Sequence, residues 1–176
     1  MMTVSAANVL LAAWRGVTQD QDFLREISTS YVKRNRLLAL WADGGLHAAF
    51  LIRLITGRGP KWLSILARNR LISRFACDVN SRATVLGSLY LPHPIGIVIG
   101  AGSVIHPQVR IYHGVTLGSN GQGGYPTIES GVIIFPNTTI VGPVRVGSEA
   151  RVGANRFLDH DVEAGATVFA ISHPHR

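Results

Sequence analysis

The chain has 176 residues, 47% of them apolar and 15% charged, enough to bury one core and too apolar for a disordered segment. One cysteine, Cys77, excludes an intrachain disulfide and a cysteine-cluster metal site, and fits a reducing, cytoplasmic setting. The net charge of +7 sits in one part: residues 1–74 hold 11 of the 17 Lys and Arg against 4 of the 10 Asp and Glu, so long-range attraction to phosphate or anionic lipid is expected only there.

Residues 1–74 read as an α-helical domain. Helices are expected over Ala6 to Arg15, Asp22 to Val32, Arg36 to Thr56 and Lys61 to Phe75, with Pro60 at the start of the last. Met-Met-Thr-Val lacks the basic start of a secretory leader. The most apolar run, Leu46 to Ile55, is interrupted by Arg53 and too short to cross a bilayer, so membrane contact is expected only at the surface. In the last helix, Trp62, Leu63, Ile65, Leu66 and Ile72 alternate with Lys61, Arg68, Arg70 and Arg74. This helix is expected to close the end of the following domain with its charges solvated; the alternative is peripheral attachment to an anionic membrane. No nucleic-acid-binding motif accompanies the charge.

Past Cys77 the texture changes to Val, Ile and Gly with a six-residue period. Starting at Phe75, the first positions are Phe75, Ser81, Gly87, His93, Ile99, Ile105 and Ile111; starting again at Ile128, they are Ile128, Ile134, Ile140, Val146, Val152, Leu158 and Ala164. With the fifth positions added, 22 of 28 are apolar, against roughly 13 expected from the composition. Short parallel strands joined by tight corners, three to a coil, follow from that period, so residues 75–176 are expected to form a parallel β-helix. The two runs are out of register by five residues, so Gly118 to Pro126 must leave the prism as a loop, a place where binding residues concentrate.

His93 is the anomaly. It falls at an inward position between Pro92 and Pro94, neither of which can donate a backbone hydrogen bond, so the imidazole needs either a distorted corner or a partner. Asp78, 15 residues earlier, falls on the adjoining coil within reach of one ring nitrogen; a carboxylate there would fix the tautomer and leave the other nitrogen to take a proton. A structural histidine satisfied by backbone is an equal reading of the residues alone. His113 falls on the next coil, facing either the same site or a neighbouring subunit, and His106 is expected to face solvent. Arg156 occupies a fifth, inward position, where it would be an unpaired buried charge unless it escapes at the end of the prism.

Asp78-Val79, LPHPIGIVIGAGSVI (Leu91 to Ile105), IYHGVTLGSNG (Ile111 to Gly121) and YPTI (Tyr125 to Ile128) together resemble the serine acetyltransferases and the similar enzymes of polysaccharide gene clusters. The resemblance runs from Leu46 to about Val168. It implies a left-handed β-helix, homotrimeric assembly, and transfer of acetyl from acetyl-CoA to an acceptor hydroxyl without a metal. His93 would be the general base and Asp78 its partner; His113 and Tyr125 would meet the acceptor; Gly118, Ser119, Pro136, Arg151 and Ala154 would meet CoA, with a backbone N–H near Gly118 facing the oxyanion. Where the serine enzymes carry an aspartate before the histidine and an Arg-His pair ahead of the Pro-Lys-Ile segment, this chain has Pro92, and Gly124 with Tyr125. Losing charged partners for a zwitterion favours a neutral acceptor such as a saccharide hydroxyl. The competing classes are a zinc lyase of the carbonic anhydrase type, whose ligand pattern the spacing of His93, His106 and His113 does not match, and a scaffold without catalysis.

Overall fold

The computed structural model of the chain describes residues 4–27, 40 and 42–169. Among the described residues three helices precede fourteen short strands: α1 (Ala6–Ile27), α2 (Gly44–Thr56) and α3 (Lys61–Phe75). The two helices expected at the start are one, because Gly16 to Gln21 carries no breaker strong enough to end α1 and its face there is held against the body of the protein. The expected continuation to Val32, and the stretch before Leu40, lie outside the described residues. Asp43 caps α2 through its carboxylate, which accepts from the N–H groups of Gly45 and Leu46 at 2.8 and 3.1 Å. α3 ends at Ala76, a left-handed residue whose N–H returns to the Ile72 carbonyl.

The strands form three parallel sheets, the sides of a triangular prism. Side A stacks β1 (Asp78–Val79), β4 (Val98–Ile99), β7 (Thr116–Gly118), β10 (Thr139–Val141) and β13 (Phe157–Leu158). Side B stacks β2 (Thr84–Val85), β5 (Val104–Ile105), β8 (Thr127–Ile128) and β11 (Arg145–Val146). Side C stacks β3 (Leu89–Tyr90), β6 (Val109–Ile111), β9 (Ile133–Ile134), β12 (Arg151–Val152) and β14 (Thr167–Val168). The inward columns are aliphatic and closed to water: Ile105, Ile128 and Val146 on side B, and Ile111, Ile134 and Val152 on side C, are each 0% exposed. Each such side chain contributes about 1.5–3 kcal/mol relative to exposure.

Register gives the coil lengths. Val79 stands on Ile99, 20 residues on; Ile99 on Leu117, 18 on; Leu117 on Ile140, 23 on; Ile140 on Leu158, 18 on. The 23-residue coil contains the loop, with residues 120–124 exposed. The 20-residue first coil corrects the phase read from the sequence. Its inward pairs are Cys77 with Val79, Ala83 with Val85 and Leu89 with Leu91, while Ser81 and His93 are exposed and Gly87 is half-buried. Two extra residues follow Leu91, so counting back in sixes from Ile99 lands two residues late. At the far end Val146 bridges to Val162, only 16 residues on, which moves Ala164 outward as well.

The helices cover the open end of the first coil, and one apolar cluster runs from Val9, Ile52 and Leu71 through Val79 and Leu89 into the prism. A buried ion pair fastens them. Arg53 of α2 donates to both oxygens of Asp20 on α1, one bond at 2.6 Å and the other at 2.8 Å. Asp20 also accepts from the Leu89 N–H, and Arg53 donates to the Gly87 carbonyl, each at 2.8 Å. With Asp20 only 1% exposed, every partner it has is protein, and the charge that interrupts the apolar run of α2 is the pin between helices and prism. At the opposite end Arg156 takes an inward position; its Nε is buried without a partner, and its guanidinium reaches the Phe169 carbonyl at 3.4 Å. Escape past the last coil, as expected for an end position, accounts for the head group and not for Nε.

Candidate active site

His93 lies at the corner between sides C and A, in the stretch that lengthens the first coil. Its carbonyl accepts from the Ile95 N–H at 2.8 Å, closing a tight turn, and Gly96 follows at a φ of 66°, a left-handed position that a side chain rarely adopts. The turn pushes the imidazole out of the prism, so the expected inward placement is corrected: His93 is exposed. The same corner one coil on carries Tyr112 and His113, whose rings lie 6.4 and 6.1 Å from that of His93. Phe135, another coil on, stacks on Tyr112 at 5.4 Å. One edge of the prism thus holds a column of rings with an exposed imidazole at its helical end. His113 is half-buried, and its Nδ1 is enclosed with no hydrogen-bond partner among the described residues. Buried polar nitrogens are ordinarily hydrogen-bonded, and this one has its bond still to make.

Asp78 is on the first strand of side A, in register with Val98, the fifth residue after His93. Its carboxylate faces outward and is held by Arg68 of α3, whose Nε and one terminal nitrogen donate to the two oxygens at 2.7 Å each. Neighbouring rungs are as expected. The expected bond is not: among the described residues no hydrogen bond joins Asp78 to His93, because both carboxylate oxygens are directed at the guanidinium. Arg68 was missed in the sequence, where it reads as one of several solvated charges. A cation ten residues before the carboxylate, about two turns before the end of the helix that leads into the strand, was the available signal.

The helical domain also reaches this edge. Gly45 of α2 lies against the Leu91 carbonyl and Gly44 against Pro94 and Phe75, so the start of α2 is packed on the turn that presents His93. His47, one turn into α2, sits edge-on to Phe75 with ring centres 5.8 Å apart. Burial first, then Arg74 and Arg70, hold its pKa below the ordinary imidazole value. Tyr90, outward on side C, has its phenol raised by burial, with Asp43 and Tyr112 adding and Arg110 opposing.

The remaining candidates divide between two edges. Pro136 and Ala154 occupy the same corner as His93 on later coils, with the Pro136 carbonyl accepting from Asn155 N–H at 2.9 Å, and Arg151 opens β12 on side C with its side chain exposed. Gly118 ends β7 in register with Val141, and Ser119 begins the loop, its hydroxyl accepting from Gly121 N–H at 3.2 Å; both are at the corner between sides A and B. Tyr125 closes that loop with its ring laid on the corner below, where a Cβ on Gly100 or Gly102 would come within 2.5 Å of ring atoms. Two glycines there therefore fix where the ring lies. His106 is 4.0 Å from Glu129 on the third corner, and His160 is an exposed neighbour of Asp159. Among the described residues no three of His, Cys, Asp and Glu converge as a metal-binding group.

A three-sided parallel β-helix under a helical cap, with an exposed imidazole set in a lengthened corner, defines the class of hexapeptide-repeat proteins. No family model matches the chain. The serine acetyltransferase of Helicobacter pylori strain J99 is 31% identical over 140 residues, covering 76% of this chain and 82% of that one. The serine acetyltransferase of Buchnera aphidicola is 36% identical over 134 residues, covering 72% and 49%. In structure, the serine acetyltransferase of Brucella abortus matches with a TM-score of 0.82 at 27% identity, covering 97% of this chain and 71% of that one. The Neisseria gonorrhoeae enzyme in complex with serine matches with a TM-score of 0.78 at 31% identity, covering 93% and 69%. The chain belongs to the serine acetyltransferase family. It spans about half the length of the Buchnera relative and 58% of the one from Mycobacterium tuberculosis.

Proposed function

We propose that the chain is an acetyl-CoA-dependent O-acetyltransferase in which His93 is the general base. The single observation that carries this reading is the exposed imidazole of His93, set by a two-residue lengthening into an otherwise periodic corner above the rings of Tyr112 and His113. A ring nitrogen takes the proton of the acceptor hydroxyl as its oxygen bonds to the thioester carbonyl carbon; the tetrahedral intermediate then expels the thiolate, which takes that proton from the imidazolium. The products are an acetyl ester and CoA, with no acyl-enzyme, and alignment of the two substrates supplies much of the rate. Asp78 orients and stabilises the imidazolium when its carboxylate is released from, or shared with, Arg68. His113, with its unpaired Nδ1, meets the acceptor.

The CoA-contacting candidates support a homotrimer. Pro136, Arg151 and Ala154 belong to the His93 edge and side C, whereas Gly118 and Ser119 belong to the next edge, so one groove takes both sets only where two prisms meet. The pantetheine arm then runs along the corners of one copy with a loop N–H near Gly118 of the neighbour facing the oxyanion, and Arg151 near the phosphates.

Serine is the acceptor bound in one of the similar structures, and it is the family substrate. At the acceptor end this chain presents Pro92 and Tyr125 in place of charges that would hold a zwitterion, which favours a saccharide hydroxyl. The absence among the described helices of any apolar enough to cross a membrane fits action in the cytoplasm, with contact at an anionic membrane face limited to the basic helices. Thiol release from acetyl-CoA, measured against L-serine and a panel of sugars, tests the reading. A sugar is expected to turn over at least tenfold faster than serine, while turnover of serine comparable to every sugar overturns the role given to Pro92 and Tyr125. His93→Ala is expected to lower turnover about a hundredfold or more with CoA affinity unchanged, and a fully active variant removes the base.

A further inference from the structure

On the other side of the helical cap, α1, the α2–α3 connection and side B of the first coil enclose a cleft of about 1170 Å³. It is not the His93 edge: its prism wall is Ser81 to Gly87, the strand of side B and the corners on either side of it. Five cations line it: Arg53, which is paired with Asp20, and four from three other parts of the fold, Arg15 on α1, Arg58 and Lys61 on the connection and the start of α3, and Arg82 on the prism corner. None of the four makes an ion pair among the described residues, and no carboxylate lines the cleft. Asp20, the partner of the lining Arg53, is fully used by Arg53 and the Leu89 N–H.

The connection that brings two of these cations is built, not loose. Val9 of α1 packs against both Gly57 and Gly59, and Arg58 between them holds a left-handed φ of 55°. α3 then begins at Pro60 with no side-chain cap and no acid in its first turn, placing a lysine where the helix dipole favours an anion. The apolar part of the lining is small, with Val9 and Ala13 of α1 and Val85 of side B among it. Cations gathered without counter-charge repel one another, a cost that a bound anion reverses.

We infer that this cleft binds an organic phosphate, the phosphate among Arg58, Lys61 and Arg82 and the apolar part against Val9, Ala13 and Val85. The phosphate belongs either to a soluble ester or to the headgroup of a membrane lipid, for which the exposed Trp62, Ile65 and Leu66 beside the cleft would supply insertion. Two arms separate the sources. In the first, calorimetry of the full chain with phenyl phosphate, CoA being present at saturation, is expected to show one site per chain, with phenol not binding. In the second, the chain is expected to sediment with phosphatidylglycerol-containing vesicles and not with pure phosphatidylcholine, and Trp62→Ser is expected to weaken only this arm. In whichever arm binds, Lys61→Glu/Arg82→Glu is expected to lose at least tenfold in affinity, and Arg145→Glu, outside the cleft, to lose none. Lys61→Glu places an acid in the first turn of α3, which the dipole favours, so an unchanged thermal transition separates lost binding from lost fold. Binding in neither arm, or binding that survives the double reversal, overturns the inference.

Discussion

Coil one of the prism takes 20 residues to return to its starting side, whereas coils two and four take 18. The regular coils stack aliphatic side chains inward, with Ser103 in the second and Arg156 in the fourth as the exceptions. The first carries the contacts to all three helices, the turn that presents His93, and the strand that presents Asp78 to Arg68. The third, lengthened to 23, carries the glycine loop. Strict periodicity is a stacking solution and leaves no room for a side chain to do anything but stack; each candidate functional group here sits where the count departs from 18 or on the outer surface. The comparison therefore makes a claim that can be tested: changes in the regular coils should cost stability without altering chemistry, and changes in the first coil should do the reverse, except at the pin that joins it to the helices.

The largest effect is expected at that pin. Asp20→Ala leaves Arg53, 11% exposed, without its carboxylate, and leaves the Leu89 N–H without an acceptor. The loss should be about 3–5 kcal/mol by chemical denaturation. The double variant Asp20→Ala/Arg53→Met should recover a large part of it, since the stranded charge rather than the missing bond dominates. A single variant within about 1 kcal/mol of the parent would mean that water reaches the pair and that the helices are held by packing alone.

Next comes a regular coil. Ile105→Ala, in the second coil, opens a cavity on side B between Val85 and the fully buried Ile128, and should cost about 2–5 kcal/mol. Turnover per folded molecule should be unchanged. A drop in turnover at constant stability would show that the regular coils transmit to the His93 corner and would break the distinction.

How much of this was legible follows the same division. The six-residue period, the loop and the helical cap are readable because aliphatic side chains at fixed spacing have one economical arrangement, and the second run of hexads was read in the right phase as far as Leu158. The first coil was misread for a definable reason. Val79, Val85 and Leu91 are inward in either phase, so only their partners distinguish the two. Ser81, Gly87 and His93, three successive first positions without an aliphatic side chain, argue against that phase; shifting back by two gives Cys77, Ala83 and Leu89. The site was legible as residue types at a spacing. The capture of Asp78 by Arg68 was not, because it depends on where a helix lies relative to a strand, which no period encodes, and neither was the ion pair that explains Arg53.

Arg68→Gln is the sharper probe of the first coil, with a smaller effect. It removes the two bonds that hold the Asp78 carboxylate, both partners being about half exposed, so stability should change by less than about 1 kcal/mol. If Asp78 serves His93, the freed carboxylate is available to the imidazolium that forms in the reaction, and kcat/KM should rise. Asp78→Asn in the same background should abolish that gain. An unchanged kcat/KM in Arg68→Gln would separate Asp78 from the chemistry while leaving His93 as base.

The smallest effect expected is at the boundary between the two regions, in His47. Burial and the nearby Arg74 and Arg70 hold its pKa below the ordinary value, and its Nδ1 is enclosed without a partner. The unfolded chain then binds the proton more readily than the folded one. Stability from this group is accordingly complete above the ordinary imidazole pKa of about 6.5 and declines as the pH falls through it, levelling only below the lowered folded value. His47→Gln removes the titrating group and should flatten that part of the stability profile as the pH falls below about 6.5, measured by denaturation at a series of pH values. Since α2 begins on the turn that presents His93, a flattened stability profile with an unchanged activity profile assigns His47 to the packing of the cap. A shift of both together would make the cap part of the site.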